Sequence, residues 1–281
     1  MVPNPSPNDL LVLTVVNEPL EPLLWVFALV LGLVFGSFLN VVIHRGPLWW
    51  GLIDQEAVPH IRGARSKCPA CGAQIRSWDN IPIISFLLLR GRCRDCGAAI
   101  SPLYPVIEML GALVAVTGLA LFGVAPAAIS FAIYGLFLIA LGAIDARTGY
   151  LPDALTLPLI AIGLGVNIFP AGFVSSIDAL IGAMAGGGVF LAVALGYRAM
   201  RGHDGLGLGD AKLLAAIGAW FGWTILAPVV LVASVSALLA VLVGSQGKTL
   251  SATQIIRFGP ALAFAGFMVP VCSHLVPYLY P

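Results

Sequence analysis

The chain has 281 residues, of which 59% are hydrophobic and 10% charged, and its mean hydropathy is +1.00. Soluble domains carry about 25% charged residues, so this composition excludes an ordinary soluble protein. The net charge of +1 says nothing by itself, and no nucleic-acid partner is expected.

The apolar stretches are continuous rather than alternating, which predicts helices and not a barrel. The expected fold is an all-α polytopic membrane protein of about eight transmembrane helices with a cytoplasmic zinc-knuckle segment. Residues 1–21 read as an irregular extracytoplasmic segment rich in proline. They lack the basic start of a cleavable signal peptide. A first span is expected at 22–43, containing Gly36-Ser37-Phe38-Leu39-Asn40. Small and polar residues at that depth suit a face packed on other helices.

The long polar segment 44–104 carries Arg45, Arg62, Arg65, Lys67, Arg76, Arg90, Arg92 and Arg94, more than half of the chain's 14 basic residues. The positive-inside rule therefore places it in the cytoplasm. Further spans are expected at 105–123, 126–145, 154–170, 178–198, 211–226, 228–244 and 259–279. This arrangement puts Arg147, Arg198, Arg201, Lys212, Lys248 and Arg257 on the cytoplasmic side and both termini outside. Residues 105–281 are expected to form the transmembrane core.

Within the polar segment, Lys67-Cys68-Pro69-Ala70-Cys71-Gly72 is echoed by Arg92-Cys93-Arg94-Asp95-Cys96-Gly97. Each pair sets two thiolates on one tight turn. Cys68, Cys71, Cys93 and Cys96 together predict a closed, structural, tetrahedral zinc site with no open position for catalysis. Cys272 stands alone in the last span and reads as a packing residue. The apolar stretch 81–89 is too short to cross a bilayer. It is expected to lie on the membrane surface or against the knuckle.

Two acids stand out from the 13 in the chain. Asp145 ends an apolar run that descends to the cytoplasmic face. Asp210, in Gly207-Leu208-Gly209-Asp210-Ala211-Lys212, opens a helix that leaves the same face. Both therefore sit at similar depth. Glycines beside Asp210 permit positive φ and close backbone approach. An acid at that depth is costly without a partner or a role. Two carboxylates sharing a site resist double ionisation, so one keeps a proton while the other accepts one from water. The chain lacks the Gly-x-Ser-x-Gly and His-Glu-x-x-His motifs, which leaves aspartyl hydrolysis ahead of serine or zinc chemistry. Competing readings pair Asp145 with Arg147 and Asp210 with Lys212. Asp153 reads as a helix cap or a second choice for the upstream catalytic position, and Asp178 as part of a cap. His203-Asp204 is weak evidence for a metal or triad.

With these motifs in order, the chain resembles the bacterial prepilin peptidases, or type IV leader peptidases, which are membrane aspartyl proteases of the Gly-x-Gly-Asp type. The resemblance also rests on Asp79-Asn80-Ile81-Pro82, Gly91-Arg92-Cys93-Arg94, Tyr104-Pro105-Val106-Ile107-Glu108, Leu151-Pro152-Asp153 and Phe258-Gly259-Pro260. It implies that Asp145 and Asp210 are the catalytic pair. The implied substrates are precursors of type IV pilins or type II secretion pseudopilins, cut after a short basic leader in the bacterial inner membrane. It further implies N-methylation of the new terminus with S-adenosylmethionine. No nucleotide-binding fingerprint locates that cofactor, and only Glu108 and the Gly36 to Asn40 stretch are candidates. Two rivals remain on sequence grounds: a transporter, and a non-catalytic scaffold that presents the zinc knuckle to a secretion machine.

Overall fold

The computed structural model describes residues 21–53, 66–170, 172–201, 207–245 and 257–279. Their regular structure is helical apart from two isolated β-bridges. Helix α1 is Glu21–Trp49, and the polar segment adds a 3₁₀ turn, Ser77–Asn80, and the short α2, Ile84–Leu88. Then follow α3 (Leu103–Phe122), α4 (Pro126–Thr148), α5 (Asp153–Val166), α6 (Ser176–Arg201), α7 (Leu208–Phe221), α8 (Leu226–Ser245) and α9 (Gly259–Leu279). The N-terminal segment and His203-Asp204 lie outside the described residues.

Five of these helices, α1, α3, α4, α6 and α8, are long and apolar enough to cross a membrane. The expectation of eight full spans is therefore too simple. Helices α5 and α7 have 14 residues each, or about 21 Å at 1.5 Å per residue, against about 30 Å of hydrocarbon. Hydropathy does not separate a lipid-facing span from a short helix enclosed by protein. Helix α7 is the second kind: Ala211 and every residue from Leu213 to Trp220 are buried.

The packing is built on small residues and a few polar tethers. Along the α1–α3 contact, a Cβ at Gly36 would lie 2.7 Å from Glu108 Cα, and one at Gly111 would lie 2.9 Å from Gly36 Cα. Gly182 of α6 meets Gly218 of α7 backbone to backbone, and a Cβ at Gly186 would lie 2.6 Å from the Leu214 carbonyl oxygen. The small-residue face of α6 at Gly182 and Gly186 is thus occupied by α7.

The aromatic centre of the membrane core is Tyr134, Trp220, Phe221, Phe131 and Phe173. Its polar atoms are satisfied internally: Tyr134 Oη donates to the Gly266 carbonyl at 2.7 Å, and Trp220 Nε1 to the Leu159 carbonyl at 2.8 Å. Buried Asn167 ties the far end together. Its Nδ2 donates to the carbonyls of Gly163, Ala219 and Trp220, and its Oδ1 accepts from the amides of Phe173 and Val174. With no water in the bilayer core, each such backbone group needs a protein partner. Elsewhere, Leu23, Val26, Phe27, Val30, Val34 and Phe38 stay exposed on α1, the surface a lipid-facing helix presents.

Candidate active site

Helix α4 stops one turn beyond Asp145 because Gly149 adopts a left-handed conformation (φ 75°, ψ 15°) and returns its amide to the Asp145 carbonyl at 2.8 Å. Tyr150-Leu151-Pro152 then turns the chain into α5, with Pro152 extended just before it. Helix α7 begins close by. A Cβ at Gly209 would lie 2.9 Å from Leu151 Cβ, so glycine lets the start of α7 reach the α4–α5 turn. The expected positive φ is not found there: Gly207 has φ −69° and ψ 126°, and neither Gly207 nor Gly209 belongs to the positive-φ residues. What glycine supplies is space. A Cβ at Gly207 would come to 3.1 Å from Asp210 Oδ2.

Asp145 is 6% exposed, and Asp210 is half-buried in the first turn of α7. The two face one another electrostatically. The charge of Asp145 acts on Asp210. Asp145 Oδ2 is buried with no hydrogen-bond partner. Like charges in so confined a place favour a shared proton.

The competing partners are engaged elsewhere. Lys212 Nζ pairs with Asp153 Oδ1 at 2.5 Å. Two helical residues are rotated about 200° apart, so Lys212 leaves α7 on the side away from Asp210. Asp153 is not the cap of α5; Pro152 holds that position, and Asp153 lies in the first turn. Arg147 donates to the Ile43 carbonyl of α1 at 3.2 Å. At the far side of the bundle, Ser175 Oγ accepts from the Asp178 amide and donates to the Asp178 carboxylate, so Asp178 belongs to a cap as its position suggested.

Two residues that the sequence reading left in the background border the acids. Arg257 donates to the Ala146 carbonyl, and its charge acts on Asp145. The Gly259 amide also faces that carboxylate, and a Cβ at Gly259 would lie 2.6 Å from Asp145 Oδ2. The signal available was Phe258-Gly259-Pro260, whose contact with Asp145 is visible only in three dimensions.

The cysteine segment forms two copies of one knuckle. In the first, the Cys68 amide donates to Ala73 and the Gly72 amide to Cys68; in the second, Cys93 pairs with Ala98 and Gly97 with Cys93 in the same way. Gly72 and Gly97 both take φ 71°, as the closing turn requires. The four Sγ atoms lie within 4.8 Å of one another, and Cys68 and Cys96 are 3.9 Å apart. A tetrahedral zinc with bonds of about 2.3 Å has ligand edges of about 3.8 Å, so the cluster fits that ion. Burial opposes the Cys68 thiolate, yet hydrogen bonds from the Cys71 and Ala70 amides and from neighbouring thiols bring its pKa down to about 7. Cys272 is exposed and remote from this cluster.

The segment is braced by a two-pronged Arg94–Asp79 pair at 2.6 and 2.9 Å, which joins the second knuckle to the 3₁₀ turn. It is moored to α3 by the Ile83 amide, which donates to buried Glu108 at 2.8 Å. The stretch 81–89 divides: the Phe86 ring lies beside Gly91 of the second knuckle, while Leu87 and Leu88 stay exposed. Nearby, Asn40 Nδ2 donates to the Tyr104 carbonyl at 3.1 Å and the Gly36 carbonyl at 3.5 Å, and its buried Oδ1 finds no donor.

Residues 30–122 match the Bacterial Peptidase A24 N-terminal domain, and residues 132–242 match the Type IV leader peptidase family. The chain is 42% identical over 258 residues to a prepilin leader peptidase/N-methyltransferase of Burkholderia pseudomallei, covering 85% of this chain and 82% of that one. It is also 42% identical to the protein of that name from Dickeya chrysanthemi, with 88% and 92% covered. The corresponding Neisseria gonorrhoeae protein is 38% identical, with 89% and 91% covered. No solved structure matches. On these similarities the chain belongs to the type IV leader peptidase family.

Proposed function

We propose that the chain is a membrane aspartyl endopeptidase. It removes the short basic leader from type IV prepilins or type II secretion pseudopilins at the cytoplasmic face of the bacterial inner membrane, and N-methylates the new terminus. The observation that carries the chemistry is the placement of two acids, Asp145 and Asp210, with the charge of one acting on the other while Lys212 and Arg147 are held elsewhere. A scaffold has no need for that arrangement, and a transporter would set its acids near the midplane rather than at helix ends.

In this mechanism Asp145 and Asp210 share one proton. The ionised carboxylate takes a proton from water as its oxygen attacks the scissile carbonyl, and the other carboxyl donates to the carbonyl oxygen. A substrate with a basic cytoplasmic leader and an apolar membrane helix presents its scissile bond at the interface, the depth assigned to both acids. Cys68, Cys71, Cys93 and Cys96 would hold zinc and keep the cytoplasmic segment folded, with no position left for a substrate.

S-adenosylmethionine, when bound, supplies the methyl group. Glu108 and Asn40 are the chain's candidate residues for that half-reaction. Both are buried at the α1–α3 contact, and Asn40 Oδ1 is an acceptor without a donor.

The test is cleavage of a leader-bearing prepilin by the purified protein in lipid, followed as a gel shift. Asp145→Asn and Asp210→Asn should each lose at least about 10³-fold in rate, in the range for removing a general acid or base. Full cleavage by either variant would end the two-aspartate mechanism. A wild-type protein that folds, holds zinc and cuts neither client would favour the scaffold.

A further inference from the structure

We propose that Arg257 makes the two carboxylates unequal, holding Asp145 as the ionised base and leaving the shared proton on Asp210. This role rests on the two-aspartate reading above and assigns the base and the acid within it. Arg257 is a positioning residue, acting on the reaction through Asp145.

Arg257 and Gly259 stand where the chain enters α9, facing the last turn of α4. The Arg257 guanidinium donates to the carbonyl of Ala146, next to Asp145, and its charge acts on the Asp145 carboxylate. The Gly259 amide faces the same carboxylate. A Cβ at Gly149 would lie 3.9 Å from Arg257 Nε, an ordinary contact distance, so the guanidinium lies against the α4 cap.

Asp210 has no equivalent among the described residues. Lys212 is bound to Asp153 of α5. On the α1 and α3 side, Arg147 donates to the Ile43 carbonyl and acts on His44 and Tyr104, while His44 is bonded to the Asn40 carbonyl and stacks on Tyr104. Glu108 accepts from Ile83.

The helix ends pull the opposite way. Asp210 sits in the first turn of α7, where free amides favour a charge, and Asp145 sits in the last turns of α4, where free carbonyls oppose one. The two ends together set the carboxylates apart by about 0.4–1.5 pH units. A cation within reach is worth about one to three units. The assignment of Asp145 as base requires the Arg257 charge to outweigh the helix ends and reverse the order they would set.

The chemistry then balances. As water oxygen bonds to the scissile carbon, its proton passes to Asp145, and the Asp210 proton passes to the carbonyl oxygen. When the C–N bond breaks, Asp145 returns its proton to the leaving nitrogen and a diol hydroxyl re-protonates Asp210. One water is consumed, and each carboxyl ends as it began.

The test is the pH profile of kcat/KM for prepilin cleavage by the full-length protein in lipid, for wild type, Arg257→Gln and Arg257→Lys, with thermal unfolding as a fold check. The acid limb reports the base in the free enzyme. It should move up by about one pH unit in Arg257→Gln and by much less in Arg257→Lys. A limb that does not move in the Gln variant, or that moves equally in both, overturns the role. If Arg257→Gln is silent at every pH, an infrared titration replaces turnover. It compares Asp210→Asn with Asp210→Asn/Arg257→Gln, and the Asp145 carboxylate must titrate at higher pH in the double variant. An unchanged midpoint there also overturns the role. Cleavage that survives Asp145→Asn or Asp210→Asn removes the two-aspartate reading itself. An unmoved limb with both acids essential removes only the part given to Arg257.

Discussion

Gly259→Ala offers the sharpest steric probe of the site. The new methyl carbon would lie 2.6 Å from Asp145 Oδ2, 2.7 Å from Cγ and 3.0 Å from Cβ. Ordinary contact begins near 3.4 Å, so the carboxylate must withdraw by about 0.8 Å or α9 must move by as much. Asp145 is 6% exposed on a helix packed against α1, α3 and α9, so the side chain has few places to go. A displacement of about 1 Å in a reacting group is worth about 10²-fold in rate. We therefore expect kcat/KM for prepilin cleavage to fall by about two orders of magnitude while the protein stays folded. Gly188→Ala is the control, because no atom lies within 4 Å of the added carbon. The assay is the leader-removal gel shift at several substrate concentrations, with the unfolding midpoint measured in the same lipid. A Gly259→Ala protein that cleaves within threefold of wild type would refute the claim that the Asp145 carboxylate, held where it is, carries the reaction.

Asp153→Asn breaks an exposed ion pair with Lys212 and should cost no more than about 1 kcal/mol in stability, with cleavage kept within a few-fold; loss of cleavage as deep as in Asp145→Asn would return Asp153 to the catalytic pair. Cys96→Ser should lose the metal, read by elemental analysis against one zinc per wild-type chain. Its unfolding midpoint should drop while cleavage per folded molecule persists; a folded, zinc-free variant that specifically lost cleavage would contradict a purely structural knuckle. Asn167→Ala strands several buried backbone groups and should destabilise the protein by about 3 kcal/mol or more, seen as a lowered unfolding midpoint. Acidification should loosen the cytoplasmic segment. Arg94 hydrogen-bonds Asp79 and holds its carboxyl below the usual range, so that stabilisation is complete above the unfolded carboxylate value and is lost as pH falls through the lower folded one. Asp79→Asn should remove this acid-sensitive step from a proteolysis or hydrogen-exchange titration.

Much of the architecture was legible in the sequence because a bilayer imposes simple demands. An apolar run must hide its backbone in a helix, so the expected spans at 105–123, 126–145 and 228–244 match α3, α4 and α8 to within three residues. The paired Cys-x-x-Cys-Gly repeats announced a thiolate cluster, since the spacing and the glycine fix the turn locally. Asp145 and Asp210 were visible as acids at helix ends, where charge is expensive.

Tertiary structure decided what those local rules leave open. Hydropathy made α7 a span, but contacts made it a short helix enclosed on nearly every side, because burial in protein and burial in lipid leave the same apolar signature. Sequence offered Lys212 as a partner for Asp210, yet helical rotation and the start of α5 delivered it to Asp153. Of the two things expected of the glycines beside Asp210, positive φ and close approach, the structure shows only the close approach. Arg257 and Gly259 lie more than 100 positions from Asp145 in the chain. Only the packing of α9 against α4 brings their charge and their amide to that carboxylate, since a charge acts over distance in space and not over distance in sequence.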